Sequence, residues 1–93
     1  MNKEQAEIIA LQALTYMATH EDILIAYLRL SGIAPEDLKN SAANPATLGS
    51  IIDYFLQDEK RLIALCEDEN IAPDHLIKAR RCLPGGEDVP YTT

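Results

Sequence analysis

Apolar residues recur at intervals of three and four along most of the chain, which predicts amphipathic α-helices. The first helix is predicted over residues 3–18, with Asn2 as N-cap and Gln5 completing a capping box. Its apolar stripe comprises Ile8, Leu11, Leu14 with Thr15, and Ala18, with Ile9 and Met17 at the margins. No segment shows the β-branched alternation of a strand, so the pattern predicts an all-α fold.

Capping and breaking residues divide the rest of the chain into five further helices. Thr19 is expected to cap the second helix, which ends near Ser31 because Gly32 can adopt the left-handed conformation. Asn70 occupies the corresponding place after the fifth helix. The other predicted starts are Pro35, Asn44 with Pro45, Asp58, and Pro73. The last four helices are predicted over residues 35–43, 45–56, 59–69 and 73–83.

The pattern repeats with an offset of 38 residues, so that residues 10–45 align with residues 48–83. Nine of the 36 aligned positions are identical. A repeat of this period is typical of one supersecondary unit that has been copied and packed on itself. We therefore predict a compact bundle of about six helices, built from two three-helix repeats around a shared core. A pseudo-twofold and a superhelical arrangement of the repeats both fit.

Length and composition are those of one globular domain, predicted over residues 1–86, with a loose tail over residues 87–93. The apolar runs are too short for a membrane span, and no signal peptide is apparent, which favours a cytoplasmic protein. The net charge of −7 disfavours a general nucleic-acid binder. Cys66 and Cys82 are expected to be reduced packing residues.

Positions that differ between the repeats are better functional candidates than positions that they share, and the second helix contains several of them. Ile23, Tyr27 and Leu30 in the first repeat align with charged or smaller apolar residues in the second. The helix around residues 23–30 is therefore apolar almost all round. Such a helix is either the buried centre of the bundle, which the pattern favours, or a patch offered to a partner.

Two charged clusters are further candidate contacts. Glu67, Asp68 and Glu69 close the fifth helix, at the end where the helix dipole disfavours acids. They are either solvated and balanced by nearby cations, or they contact a basic partner. Basic residues of the last helix could touch nucleic acid, as in a helix-turn-helix reader. They are Lys78, Arg80 and Arg81.

No constellation of catalytic or metal-binding residues stands out. His75 lies between Cys66 and Cys82, but the spacings match no common zinc motif and a fourth ligand is missing. His20 and the acids after it fit a capping segment. No phosphate-binding glycine loop or nucleophile elbow is present. We therefore expect neither a cofactor nor a metal, and no enzyme activity.

Several segments together resemble a family of small bacterial proteins defined only as a domain of unknown function. They are residues 10–14, 32–38, 44–46, 55–59, 71–76 and 83–86. The resemblance covers nearly the whole chain and implies a cytoplasmic, all-α bacterial domain. It implies no activity, ligand or catalytic residue.

The leading functional hypothesis is a small helical protein-interaction module that binds through residues 23–30 or through grooves between the repeats. The alternative is a regulator that contacts nucleic acid through the last helix, and a small enzyme is a minor third. We expect a monomer or a weak homodimer. The sequence leaves the partner and the biological role open.

Overall fold

The computed structural model describes residues 1–85, and within them all regular structure is helical. The helices are α1 Lys3–Ala18, α2 Glu21–Ser31, α3 Leu38–Ser41, α4 Pro45–Leu56, α5 Glu59–Glu69 and α6 Pro73–Arg81. A 3-10 turn, Pro35–Asp37, leads directly into α3. The predicted all-α bundle of six helices is confirmed. The predicted loose tail lies outside the described residues.

Local capping chemistry sets most of the helix bounds. Asn2 and Gln5 form the predicted capping box, with Asn2 Oδ1 accepting from the Gln5 backbone N–H at 2.8 Å. Asp58 Oδ1 accepts from the Lys60 N–H at the start of α5. Gly32 and Asn70 both take the left-handed conformation after α2 and α5, with φ of 78° and 54°. These bounds follow from side chains that are adjacent in sequence.

The cap predicted at Thr19 is wrong. Thr19 ends α1, and its hydroxyl donates to the Tyr16 carbonyl at 2.8 Å instead of capping α2. His20 is the N-cap residue of α2, but its side chain makes no cap bond. The imidazole stacks on the Tyr16 ring at 4.0 Å and its Nδ1 lies 2.8 Å from the Tyr16 carbonyl oxygen. Thr19 and His20 of the α1–α2 connection are therefore held by their contacts with Tyr16 of α1.

The core lies where α1, α4, α5 and α6 meet, and α1 packs against each of the other three. Its largest fully buried side chains outside α2 are Phe55, Met17, Ile51, Ile52, Leu65, Leu76 and Leu83. The buried face of α1 is not the predicted apolar stripe. It consists of Ala6, Ala10, Ala13, Tyr16 and Met17.

Small side chains explain why α1 turns this face inward. Ala6, Ala10 and Ala13 are fully buried, and their small volume lets neighbouring backbones approach closely. Ile8 and Leu11 of the predicted stripe are 55% and 45% exposed. The stripe prediction is wrong for Ile8 and Leu11, whereas Met17 is buried and Ile9 and Leu14 pack against the core. Bulk alone does not decide which face of a helix meets its neighbours.

The bounds of α2 and α5 are related by the offset of 38 residues, but the surroundings of these two helices differ. α2 ends and begins 38 residues before α5, and Pro35 precedes Pro73 by the same number. α5 packs on α1, α4 and α6, whereas α2 packs mainly on α1. The internal repeat of two three-helix units stays a prediction, and the second helices of the two halves contribute unequally to the core.

Candidate functional site

Helix α2 lies on the outside of the bundle. Tyr27 is its one buried residue, whereas Ile25 and Leu30 are 40% and 67% exposed. Ile23 is half-buried and packs against the core. The interpretation of residues 23–30 as the buried centre of the bundle is therefore wrong. The core is completed by the other long helices, and α2 needs only one side to attach to them.

Two hydroxyl groups fasten α2 to α4. The Tyr27 hydroxyl lies 2.7 Å from Ser50 Oγ, and the Tyr54 hydroxyl donates to the Ile23 carbonyl at 3.4 Å. The rings of Tyr27 and Tyr54 also meet edge to face, with centroids 5.5 Å apart. Burial raises the pKa of Tyr27, and the bond to Ser50 offsets part of this rise. Tyr27 is thus a structural residue and not the partner contact that the sequence indicated.

An apolar groove of about 270 Å³ follows one side of α2, and we call it the α2 groove. Ile25, Leu28 and Arg29 of α2 line it together with Ile33 and Pro35 of the next segment. Leu28 and Ile33 are half-buried, and Arg29 is exposed at the rim. The sequence hypothesis includes Ile25 within residues 23–30 but uses Pro35 only as a helix start, since nothing local in the sequence places Pro35 beside α2.

A second open groove of about 440 Å³ lies between α1 and α6. Its walls include Ile8 and Ile9 from α1 and His75 and Lys78 from α6. This groove lies between the two predicted repeats, but its residues were not predicted because Ile8 belongs to the stripe expected to pack inward. The two helices that form this groove, α1 and α6, are both part of the core. Their packing therefore explains why they are present, without a binding role.

The basic residues of α6 do not form one surface. Arg80 is 7% exposed, and its Nε donates to Asp53 Oδ1 at 2.7 Å. Its Nη1 donates to the carbonyls of Leu83 and Pro84 at 3.4 and 2.9 Å. Because this guanidinium is enclosed, Arg80 is not available as a contact for nucleic acid or protein.

The other two cations of α6 are exposed. Lys78 Nζ forms an ion pair with Asp74 Oδ2 at 3.1 Å, and Arg81 also has an interaction partner. An exposed pair of this kind contributes little stability, so Lys78 can leave it at small cost. Without Arg80, the predicted basic surface shrinks to two side chains.

The acidic run at the end of α5 remains on the surface. Glu67 and Asp68 are exposed and Glu69 is half-buried. The pKa of the Tyr16 phenol is raised by burial, with smaller contributions from Asp68 and Asp22. Asp68 is therefore close enough to Tyr16 of α1 for its charge to act on the phenol.

Cys66 is buried and Cys82 is half-buried, and both are free thiols. Burial raises the pKa of the Cys66 thiol, which disfavours the reactive thiolate. Cys82 Sγ lies 3.2 Å from the Met1 carbonyl oxygen. Within residues 1–85, no three His, Cys, Asp or Glu side chains come together as a metal site.

Comparison with known proteins identifies a family but no function. No helix among residues 1–85 is both long and apolar enough to cross a membrane. No curated protein and no solved structure matches the chain. A family model described as protein of unknown function (DUF3572) matches residues 3–86. The chain belongs to this family.

Proposed function

We propose that this protein is a small helical interaction module that binds another polypeptide through the outer side of α2 and the α2 groove. The observation that carries the proposal is that α2 keeps apolar side chains exposed in addition to the face that attaches it to the domain. Most helical stability in proteins comes from packing an apolar face, and in α2 that face consists of Tyr27 with the half-buried Ile23, Leu24 and Leu28. Outside this face Ile25 and Leu30 are still 40% and 67% exposed, and Ile25 also lines the α2 groove.

The chemistry of the α2 groove favours binding over catalysis. Its walls are mostly aliphatic, and Arg29 at the rim is its one ionisable lining residue among those described. An aliphatic groove with a charged rim is typical of surfaces that accept an amphipathic helix. The two free thiols fit a reducing compartment, and we extend the proposal to a module that acts in the cytoplasm.

Photo-crosslinking in cells of the source organism tests the proposal directly. A photoreactive amino acid replaces Ala26, which is exposed on α2. The matched control replaces Ala64, which is exposed at the corresponding position of α5. We expect a covalent adduct of defined mass from position 26 that is weak or absent from position 64. Ile25→Asp, introduced beside the probe, is expected to remove the adduct.

The same experiment can overturn the proposal. If position 26 gives no more adduct than position 64, the outer side of α2 is not an interaction surface in the cell. If the adduct forms equally well with Ile25→Asp, the contact does not depend on the apolar side of α2. The mass of the adduct shows whether the partner is the same chain or a different one.

A further inference from the structure

Glu21, Ile25 and Arg29 form one exposed stripe along α2, which we call the outer stripe. Residues four apart lie on the same side of a helix, so these three side chains follow one line with the apolar one at its centre. All three are exposed. Within residues 1–85, neither Glu21 nor Arg29 forms an ion pair. The outer stripe therefore offers an acid, an isoleucine and a base.

We propose that the partner of the outer stripe is a second copy of this chain, bound through an antiparallel pair of α2 helices. This inference rests on the proposed function and names its partner. A twofold interface places each surface patch against itself, with the direction reversed. Centred on Ile25, such a pair brings Glu21 of each chain opposite Arg29 of the other. Each charge lies about 6 Å along the axis from the centre, at 1.5 Å per residue.

The neighbouring residues suit this arrangement. Ala26 is exposed about 100° around the helix from Ile25, and its small side chain does not obstruct the second copy. Leu28 borders Ile25 in the α2 groove, so the Ile25 side chain of the second copy has an aliphatic surface to contact. A parallel pair would instead place Glu21 against Glu21 and Arg29 against Arg29. The charges therefore select the antiparallel direction.

Helix α5 carries the aligned stripe, but the charges at its two ends do not complement each other. Glu59, Ile63 and Glu67 occupy the corresponding positions, and Ile63 is 44% exposed. Pairing this stripe with itself would bring Glu59 against Glu67 of the other copy, and like charges repel. The two halves of the chain thus keep the same apolar centre, but only α2 has complementary ends. Arg29 is the residue that makes the difference.

The size of the surface predicts a weak dimer. A helix of 11 residues is about 16 Å long, and one of its sides is smaller than the roughly 800 Å² per partner of a standard interface. We therefore expect association that depends on concentration, with fast exchange between monomer and dimer. High salt should weaken it, because the outer pairs are exposed charges.

Sedimentation velocity of the full chain over a wide concentration range tests the dimer. We expect reversible conversion from monomer to dimer. Arg29→Glu gives α2 the same charges as the α5 stripe and is expected to weaken the dimer at least ~10-fold, as is Glu21→Arg. Lys60→Glu, on α5, changes the net charge as much as Arg29→Glu and should leave the dimer unchanged.

Recombining the two charge changes gives the sharpest test. The chain with both Glu21→Arg and Arg29→Glu should dimerise like the native chain, because each Arg again faces a Glu. An equimolar mixture of the two single variants should form a mixed dimer that neither forms alone. If the double variant stays as weak as the single ones, the antiparallel register is wrong and the proposal is overturned.

Two apolar substitutions separate this dimer from unspecific association. Ile25→Asp is expected to abolish it. Leu30→Ser, which removes the most exposed large apolar side chain described, should have little effect because Leu30 lies about 140° around the helix from Ile25. A native chain that stays monomeric at every concentration overturns the proposal. If such a chain still gives an adduct with a different protein from position 26, the proposed function stands and only its partner is wrong.

Discussion

Arg80 Nε donates a 2.7 Å hydrogen bond to Asp53 Oδ1, and this ion pair joins α6 to α4 next to the core. The same guanidinium donates to the carbonyls of Leu83 and Pro84. One side chain therefore fixes the end of α6, the segment after it and the middle of α4. Arg80, which the sequence suggested as a surface contact, is instead an enclosed side chain that joins these three parts of the fold.

We expect Arg80→Ala to lower the free energy of unfolding by about 3 kcal/mol, because it removes the enclosed guanidinium with its ion pair to Asp53 and its hydrogen bonds to two carbonyls. The measurement is urea unfolding followed by circular dichroism. The control is Lys78→Ala, which removes an exposed ion pair and should cost less than about 0.5 kcal/mol. Equal effects of the two substitutions would contradict the structural role of Arg80.

Gly49 should not tolerate a methyl group. A Cβ there would lie 2.8 Å from Arg80 Nη1 and 3.3 Å from the Pro84 carbonyl oxygen. Because that guanidinium is held by Asp53 and by carbonyls, it cannot simply move aside. We expect Gly49→Ala to destabilise the protein by about 1–2 kcal/mol, although alanine is the better helix former.

A double-mutant cycle checks the cause of that loss. If Gly49→Ala acts by displacing Arg80, it should cost markedly less in a chain that already carries Arg80→Ala. Additive effects would mean that the methyl group disturbs α4 in some other way.

The small side chains on the buried face of α1 predict that a larger side chain there destabilises the fold. Ala10 is fully buried, so Ala10→Leu forces neighbouring helices apart and should cost about 1–3 kcal/mol or more. Ile8 is 55% exposed, and Ile8→Ser should change stability by less than about 0.5 kcal/mol. Thermal or urea unfolding of both variants checks this. A large loss with Ile8→Ser and none with Ala10→Leu would mean that α1 faces the other way.

Alkaline pH should destabilise the fold. Burial raises the pKa of the Cys66 thiol from 9.0 and of the Tyr16 and Tyr27 phenols from 10.0. Above about pH 9 the unfolded chain therefore loses these protons first and binds fewer of them than the folded chain. The slope of the unfolding free energy against pH is proportional to the number of protons bound by the unfolded chain minus the number bound by the folded chain. This difference is negative above about pH 9, so the contribution of these groups to stability is fully present below that pH and is lost as pH rises.

Tyr27→Phe tests this pH dependence. The variant loses the hydrogen bond to Ser50, which should cost about 1 kcal/mol at neutral pH. It also loses one of the buried groups that titrate, so its stability should fall less steeply between about pH 9 and 11. Urea unfolding at several pH values gives the slope of the unfolding free energy against pH for the variant and for the native chain. Identical slopes for the variant and the native chain would exclude Tyr27 as a source of the alkaline loss.

The sequence predicts the helices well because their ends depend on neighbouring residues. The Asn2 cap, the Pro45 start and the left-handed Asn70 are all decided within a few positions. The packing could not be predicted in the same way. Whether Ile8 or Ala10 faces inward depends on residues tens of positions away, and apolar size suggested the wrong answer.

The candidate site was only partly predictable for the same reason. The apolar run around α2 correctly marked an unusual helix, but periodicity cannot distinguish a buried helix from an exposed one. Arg80 looked like a surface cation because Asp53, its partner, lies 27 positions earlier. The sequence does not single out Ile25 within residues 23–30, because the aligned residue Ile63 is identical, although the charges on either side of the two residues differ.

The attachment of α2 through Tyr27 and two hydroxyl groups has an evolutionary consequence. Because the residues that hold α2 point inward and the outer stripe points away from them, substitutions on the outer stripe leave the domain's interior undisturbed. Under the proposed function, a change at Glu21 or Arg29 therefore alters which partner the outer stripe selects while the scaffold stays intact. Binding specificity could then diverge without any change in architecture.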